Sequence, residues 1–408
     1  MYRQIKVSPE DQKLQRIFWR SSPQDPLLEF ELNTVTYGTA PAAFLATRTL
    51  NQLAIDEGDS YPLAASAILK NFYVDDLISS HDSPEQAVLL YQQLNAMLDL
   101  GGFELHKWAS NSPQVLEQIP FEGQAISKIK SFDDSAGHSI HTLGLLWHID
   151  NDTFKIQHKD SLNHQGKPFT KRSILSTIAS VFDPLGLIVP IIILCKIFMQ
   201  KLWMAKIDWD ERVEGELLNS WLAIWSHLPD ITNISIPRVI KPAGSPEIVY
   251  LHIFADASKL AYGAVAYLVT FTNVSSASHI ILAKSRVAPL KPMTIPRLEL
   301  SAALLAAKLV YKIKSALNLM IHQTWLWSDS TIVLSWIRKQ PSEFKTFVSS
   351  RLCEIDELTH NDSWLHVPSK QNPADCITRG ATPLELIEES LWWHGPQWLT
   401  QDQEAWPS

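Results

Sequence analysis

The pattern that most restricts the fold lies in residues 248–380. Ile248 to Ala255, Ala261 to Thr270 and His279 to Val287 are short apolar runs with the length and β-branched content of strands. Pro296 to Leu319 then carries apolar residues at helical spacing. Thr324 to Trp327 reads as a buried strand, Ser330 to Arg338 and Phe344 to Leu358 as helices, Trp364 to Val367 as a last strand, and a short helix follows Pro373. Three strands followed by helix, strand, two helices, strand and helix predict an α/β domain, a mixed sheet with helices around it.

Four acids occupy notable places on that map. Asp256 closes the first strand and Asp329 the fourth, Glu299 lies in the first turn of the long helix, and Asp375 lies in the last short one. Adjacent strands would bring the two aspartates within a few ångström, where carboxylates repel and raise each other's pKa. Mg²⁺, a hard cation that takes oxygen ligands, relieves that repulsion, and a pair of such ions assists phosphodiester cleavage. One Asp at a strand end is usually a solvated turn residue, and one Glu early in a helix usually serves the macrodipole. The four together, in this order on these elements, predict a metal-dependent site at Asp256, Glu299, Asp329 and Asp375, with Mn²⁺ as the other cation such ligands accept.

Upstream, Phe72-Tyr73-Val74-Asp75-Asp76 places two adjacent acids in an otherwise apolar strand–turn–strand, which is costly unless they are solvated or bind a cation. Helices are predicted over Pro41 to Asp56, Ser83 to Leu100, Lys171 to Phe182, Pro190 to Ala205 and Glu211 to Leu228. Strands are predicted at Phe103 to Trp108 and Thr142 to His148. The three prolines of Pro237 to Glu247 mark a domain boundary. The net charge of −8 is unevenly spread, since residues 247–380 hold 14 Lys and Arg against 10 Asp and Glu. That basic stretch suits phosphate binding but decides little alone. Three scattered cysteines exclude a disulfide framework or a zinc site. The longest apolar run, Leu185 to Cys195, is interrupted by Pro190 and is too short for a membrane span.

The strings IFADASKLAYGAVAYL, IPRLELSAALLAAKL, WSDSTIVLSWI and NPADCITRG resemble the ribonuclease H region of BEL/Pao-type LTR retrotransposon polyproteins. MYRQIKVSPEDQKLQRIFWR, TYGTAPAAFLATRTL, FYVDD and KRSILSTIASVFDPLGLIVP resemble its reverse transcriptase region. The resemblance implies a partial reverse transcriptase, palm and start of thumb, over 1–148. It implies a helical thumb or connection over 149–240, a ribonuclease H-like domain over 241–380, and a linker toward an integrase over 381–408. It implies Asp256, Glu299, Asp329 and Asp375 as ligands of two Mg²⁺ ions, Asp75 as a polymerase metal ligand with Asp76 auxiliary, Tyr2 as a steric gate under the incoming sugar, and Lys107 as a proton donor. RNA–DNA hybrid and primer–template nucleic acid are the implied partners, with integrase and capsid segments of the same polyprotein, in cytoplasmic virus-like particles or the nucleus.

Two departures from the family pattern matter. The loop before Asp375 carries Ser369 and Lys370 where such enzymes often have a histidine, and nearby His366 reads as a strand residue. The other polymerase Asp and the fingers would fall ahead of Met1, so the polymerase half is expected to be inactive alone. The competing readings are a catalytically dead or domesticated remnant that only binds nucleic acid or protein partners, and a related nuclease or integrase of the same fold. Trp325, Trp327 and Trp336 follow strand and helix periodicity and are expected in the core rather than stacked on bases.

Overall fold

The computed structural model describes residues 1–125, 139–142, 144–157, 168–241, 247–317, 319–360 and 362–407. The predicted boundary at 237–247 falls partly outside the described residues. The chain forms two compact units, one of Met1–Leu143 with His148–Asn151, the other of Gly144–Trp147 with Asp152–Ser408.

In the first unit, helices Ala42–Asp56, Pro62–Asn71 and Pro84–Leu100 pack around Leu50, Ala54, Ile68, Leu94 and Met97. The last helix starts where its sequence dictates. Pro84 sits in its first turn, and Ser83 Oγ accepts the Gln86 N–H at 3.3 Å. The predicted strand at Phe103 to Trp108 does not form, and Trp108 makes only an isolated bridge to Gln124. Gly102 and Lys107 take left-handed φ angles of +70° and +61°, which break an extended path at both ends of that run.

The second unit is built on a five-stranded sheet of β1 (Ile248–Ala257), β2 (Ala261–Phe271), β3 (Ser276–Val287), β4 (Gln323–Ser328) and β5 (Ser363–His366), in the order β3-β2-β1-β4-β5. The β3–β2 and β2–β1 pairs are antiparallel, and the β1–β4 and β4–β5 pairs are parallel. Parallel neighbours need crossovers, which α1 (Ile295–Ala316), α2 (Thr331–Ile337) and α3 (Thr346–Thr359) supply. The architecture is α/β.

Both faces of β1 are covered, which is why its sequence is a continuous apolar run rather than an alternation. Leu251, Ile253 and Ala255 face α1 through Ala302, Leu305, Ala306 and Leu309. Phe254 lies on the opposite face in a second cluster with Tyr267, Trp325 and Trp327. His252 shares that parity and stacks on Trp325 and Trp327 at 5.0 and 6.0 Å. The expectation of core positions therefore holds for Trp325 and Trp327. Trp336 packs, half-buried, against the cluster under α3.

Residues of the stretch 381–407, expected to belong to a linker, pack on the sheet. Trp392 and Leu399 are fully buried. Trp392 Nε1 donates to the Leu187 carbonyl at 2.9 Å, Tyr267 Oη donates to the Trp392 carbonyl at 2.7 Å, and Trp406 sits 5.2 Å from His252 edge to face. The aromatic face of β1, β2 and β4 needs a cover, and the tryptophans of this stretch provide it.

His252 is sealed beneath that cover. Its Nδ1 accepts the Trp327 indole N–H at 3.1 Å, and burial pulls its pKa down to about 3. The folded chain therefore stays neutral at His252 while the unfolded chain takes up a proton below about pH 6.5. Stability is present above that pH and lost as the pH falls toward 3, at about 1.4 kcal/mol per pH unit. Urea unfolding between pH 7 and pH 4 should show this loss in the wild type and less of it in His252→Phe. Parallel profiles would remove His252 as its source.

Candidate active site

Asp256 ends β1 on the face of His252 and Phe254. The β1–β4 register pairs Ala255 with Ser328, so Asp329, one step further, follows β4 where Asp256 follows on β1. Glu299 is the fifth residue of α1, in its second turn rather than its first, which weakens the macrodipole explanation for it. Asp375 opens the helix α4 (Asp375–Arg379), which packs on β1 and β2.

These carboxylates feel one another. Burial pushes the Asp256 carboxyl up to about 6, the Thr378 hydroxyl pulls it down, and the charges of Asp329 and Asp375 raise it further. Burial also raises Glu299, against a hydrogen bond from Ser330, and Asp329 adds to the rise. Burial raises Asp375, its partner Arg379 lowers it, and Asp329 again raises it. Asp329 is thus the hub of four acids at one end of the sheet.

Each acid is turned to a donor of its own. The Ser330 hydroxyl donates to Glu299 Oε2 at 2.6 Å, the Ser369 hydroxyl to Asp329 Oδ2 at 2.6 Å, and Thr378 Oγ1 to Asp256 Oδ2 at 2.5 Å. Arg379 Nη2 lies 2.8 Å from Asp375 Oδ2. In this arrangement no three His, Cys, Asp or Glu side chains among the described residues converge as a ready ligand set. The donor chemistry nonetheless suits Mg²⁺, being hard carboxylate oxygens, desolvated and mutually repelling.

None of the three hydroxyls could be read from sequence as the partner of a carboxylate. Ser330 carried a signal, as the cap of α2 whose hydroxyl also accepts the Val333 N–H at 3.2 Å. Ser369 and Thr378 carried none. Ser369 and Lys370 lie in a 3-10 turn before Asp375, and His366 lies in β5.

In the first unit, Phe72–Tyr73 and Asp76–Leu77 form a two-stranded hairpin with Tyr73 opposite Asp76. Asp75 and Asp76 are exposed. Val74, in the turn, has φ +58°, a conformation that costs a β-branched residue about 1–3 kcal/mol and is found most at functional sites. Tyr2 lies in a 3-10 turn and Lys107 is exposed. The sequence neighbours of Tyr2, Lys107 and the two aspartates, namely Met1, Phe72, Leu77, Leu105 and Trp108, all pack on one core cluster.

Among solved structures, the chain is similar to a foamy viral protease-reverse transcriptase in complex with RNA/DNA hybrid, at 13% identity and TM-score 0.48, over 90% of this chain and 43% of that one. The chain thus spans less than half of that relative. It is also similar to RNase H1 from the halophilic archaeon Halobacterium salinarum, at 17% identity and TM-score 0.22, over 35% of this chain and 98% of that one. A third likeness is to LC11-RNase H1 in complex with RNA/DNA hybrid, at 14% identity and TM-score 0.23, over 34% of this chain and 99% of that one. None reaches a TM-score of 0.5, so none adds weight. No curated protein matches in sequence. Residues 170–330, which include Asp256, Glu299 and Asp329, match the family model described as Pao retrotransposon-like RNaseH-like domain.

Proposed function

We propose that the second unit hydrolyses the RNA strand of RNA–DNA hybrids with the help of divalent cations held by Asp256, Glu299, Asp329 and Asp375. The observation that carries this reading is the electrostatic linkage of all four carboxylates through Asp329 at one sheet end. Partly buried acids that raise one another's pKa destabilise a fold, and a bound cation relieves that cost. Mg²⁺, when bound, supplies a Lewis acid for the scissile phosphate and lowers the pKa of the attacking water.

The chain's own part is placement. β1 carries Asp256, and Asp329 directly follows β4, while α1 and α4 carry Glu299 and Asp375. Ser330, Ser369 and Thr378 hold three carboxylates in defined rotamers before a cation arrives. Asp75 and Asp76, with Tyr2 and Lys107 around the same core cluster, are proposed as the remains of a polymerase site acting on primer–template.

The test is cleavage of end-labelled RNA in an RNA–DNA hybrid by the full chain, with Mg²⁺ and with EDTA. Duplex DNA and duplex RNA serve as controls. Cleavage of the hybrid's RNA strand only, and only with Mg²⁺, is expected. Absence of Mg²⁺-dependent cleavage removes the enzymatic reading in favour of a binding-only protein.

A further inference from the structure

We infer that Thr378 is a positioning residue that ties the Asp375 helix to the Asp256 strand and fixes how the Asp256 carboxylate is turned toward a cation. The inference rests on the nuclease reading above and deepens it.

The side chain of Thr378 is buried at the contact between α4 and the end of β1. Its Oγ1 lies 2.5 Å from Asp256 Oδ2 and 3.1 Å from the Asp375 main-chain carbonyl. A hydroxyl has one proton, so the short contact to the carboxylate takes it, and the charge-assisted bond is the stronger of the two. Asp256 Oδ2 accepts this bond, which fixes how the carboxylate is turned toward a cation.

The contact is also one of three that dock α4. Asn372 Nδ2 donates to the Ala255 carbonyl at 3.1 Å, next to Asp256 in sequence, and its Oδ1 accepts the Ala374 N–H at 3.1 Å. Ser258 Oγ donates to the Thr378 carbonyl at 3.3 Å, from just beyond β1. Side-chain to main-chain bonds thus hold the helix just ahead of its start, through Asn372, and at the Thr378 carbonyl, through Ser258. The Thr378 hydroxyl adds to that docking the one contact described from α4 to Asp256, and so sets the orientation of its carboxylate.

Thr378→Val keeps the shape and removes the donor, Thr378→Ser keeps the donor, and Thr378→Cys keeps the bulk with a weak donor. In the full chain, calorimetric titration with Mg²⁺ alone should show binding weakened about tenfold in T378V and by less in Thr378→Cys, with Thr378→Ser near wild type. The Mg²⁺ concentration giving half-maximal hybrid cleavage should rise in parallel, with KM for the hybrid unchanged. If T378V melts, the cysteine and serine variants decide the comparison by the same titration. Equal Mg²⁺ affinity across the series, in a chain whose wild type binds Mg²⁺, overturns the role of Thr378 alone. A wild type that binds no Mg²⁺ overturns the nuclease reading and this inference together.

Discussion

Asp256→Asn should lower Mg²⁺-dependent cleavage of an RNA–DNA hybrid by at least about 10³-fold while making the metal-free chain more stable. The two effects have one cause. Burial and the neighbouring acids push the Asp256 carboxyl up to about 6, so its ionised form at neutral pH costs the fold about 2–3 kcal/mol. Asparagine keeps the size and still accepts the Thr378 hydroxyl, but carries no charge. In EDTA its melting temperature should exceed the wild type's by ~5 °C. A variant that loses activity and stability together would point to a merely structural aspartate.

Gly263→Ala should damage both stability and activity, because the added methyl falls beside the acids at the end of β1. Gly263 pairs with Asp256 across the β1–β2 ladder. A Cβ there would lie 2.4 Å from Ile377 Cγ2 and 2.8 Å from the Lys284 carbonyl oxygen. Ile377 is buried on α4, two residues after Asp375, and the carbonyl is backbone in β3, so neither can step aside cheaply. Overpacking of this kind costs about 1–3 kcal/mol. The displaced α4 carries Asp375 with it, and a shift near 1 Å at a reacting centre costs about 10²-fold in rate. Urea unfolding and hybrid cleavage measure the two losses. Gly123→Ala, whose Cβ would meet nothing closer than 3.8 Å, is the matched control and should stay within about 0.5 kcal/mol. Equal behaviour of the two variants would show that α4 is not seated on Gly263 as described.

The sheet and its helices could be read from sequence because their signals are local. Apolar runs of strand length at β1, β2 and β4, and helical spacing in α1, are set by burial along one element. The ends of β1 and β4 were also readable, which singled out Asp256 and Asp329. The hydroxyl partners were not, because they depend on residues far apart in the chain: Thr378 and Asp256 are 122 positions apart, and Ser369 and Asp329 are 40. The final tryptophans misled for a related reason. Trp392 and Trp398 follow no long amphipathic period, and their place in the core is set by the aromatic face of a sheet far upstream. Phe103 to Trp108 failed as a strand because strand propensity is silent about the left-handed turns that bracket it.

The central claim is that four carboxylates from separate elements share bound cations. The most direct measurement is the Mg²⁺-dependent rise in melting temperature of the full chain, compared with Asp256→Asn, Glu299→Gln, Asp329→Asn and Asp375→Asn. Ligand binding at ten times its dissociation constant adds about 1.4 kcal/mol, a rise of roughly 2–6 °C. The account predicts that rise in the wild type and its loss or marked reduction in each of the four variants. A rise that survives all four substitutions, or none in the wild type, would contradict it.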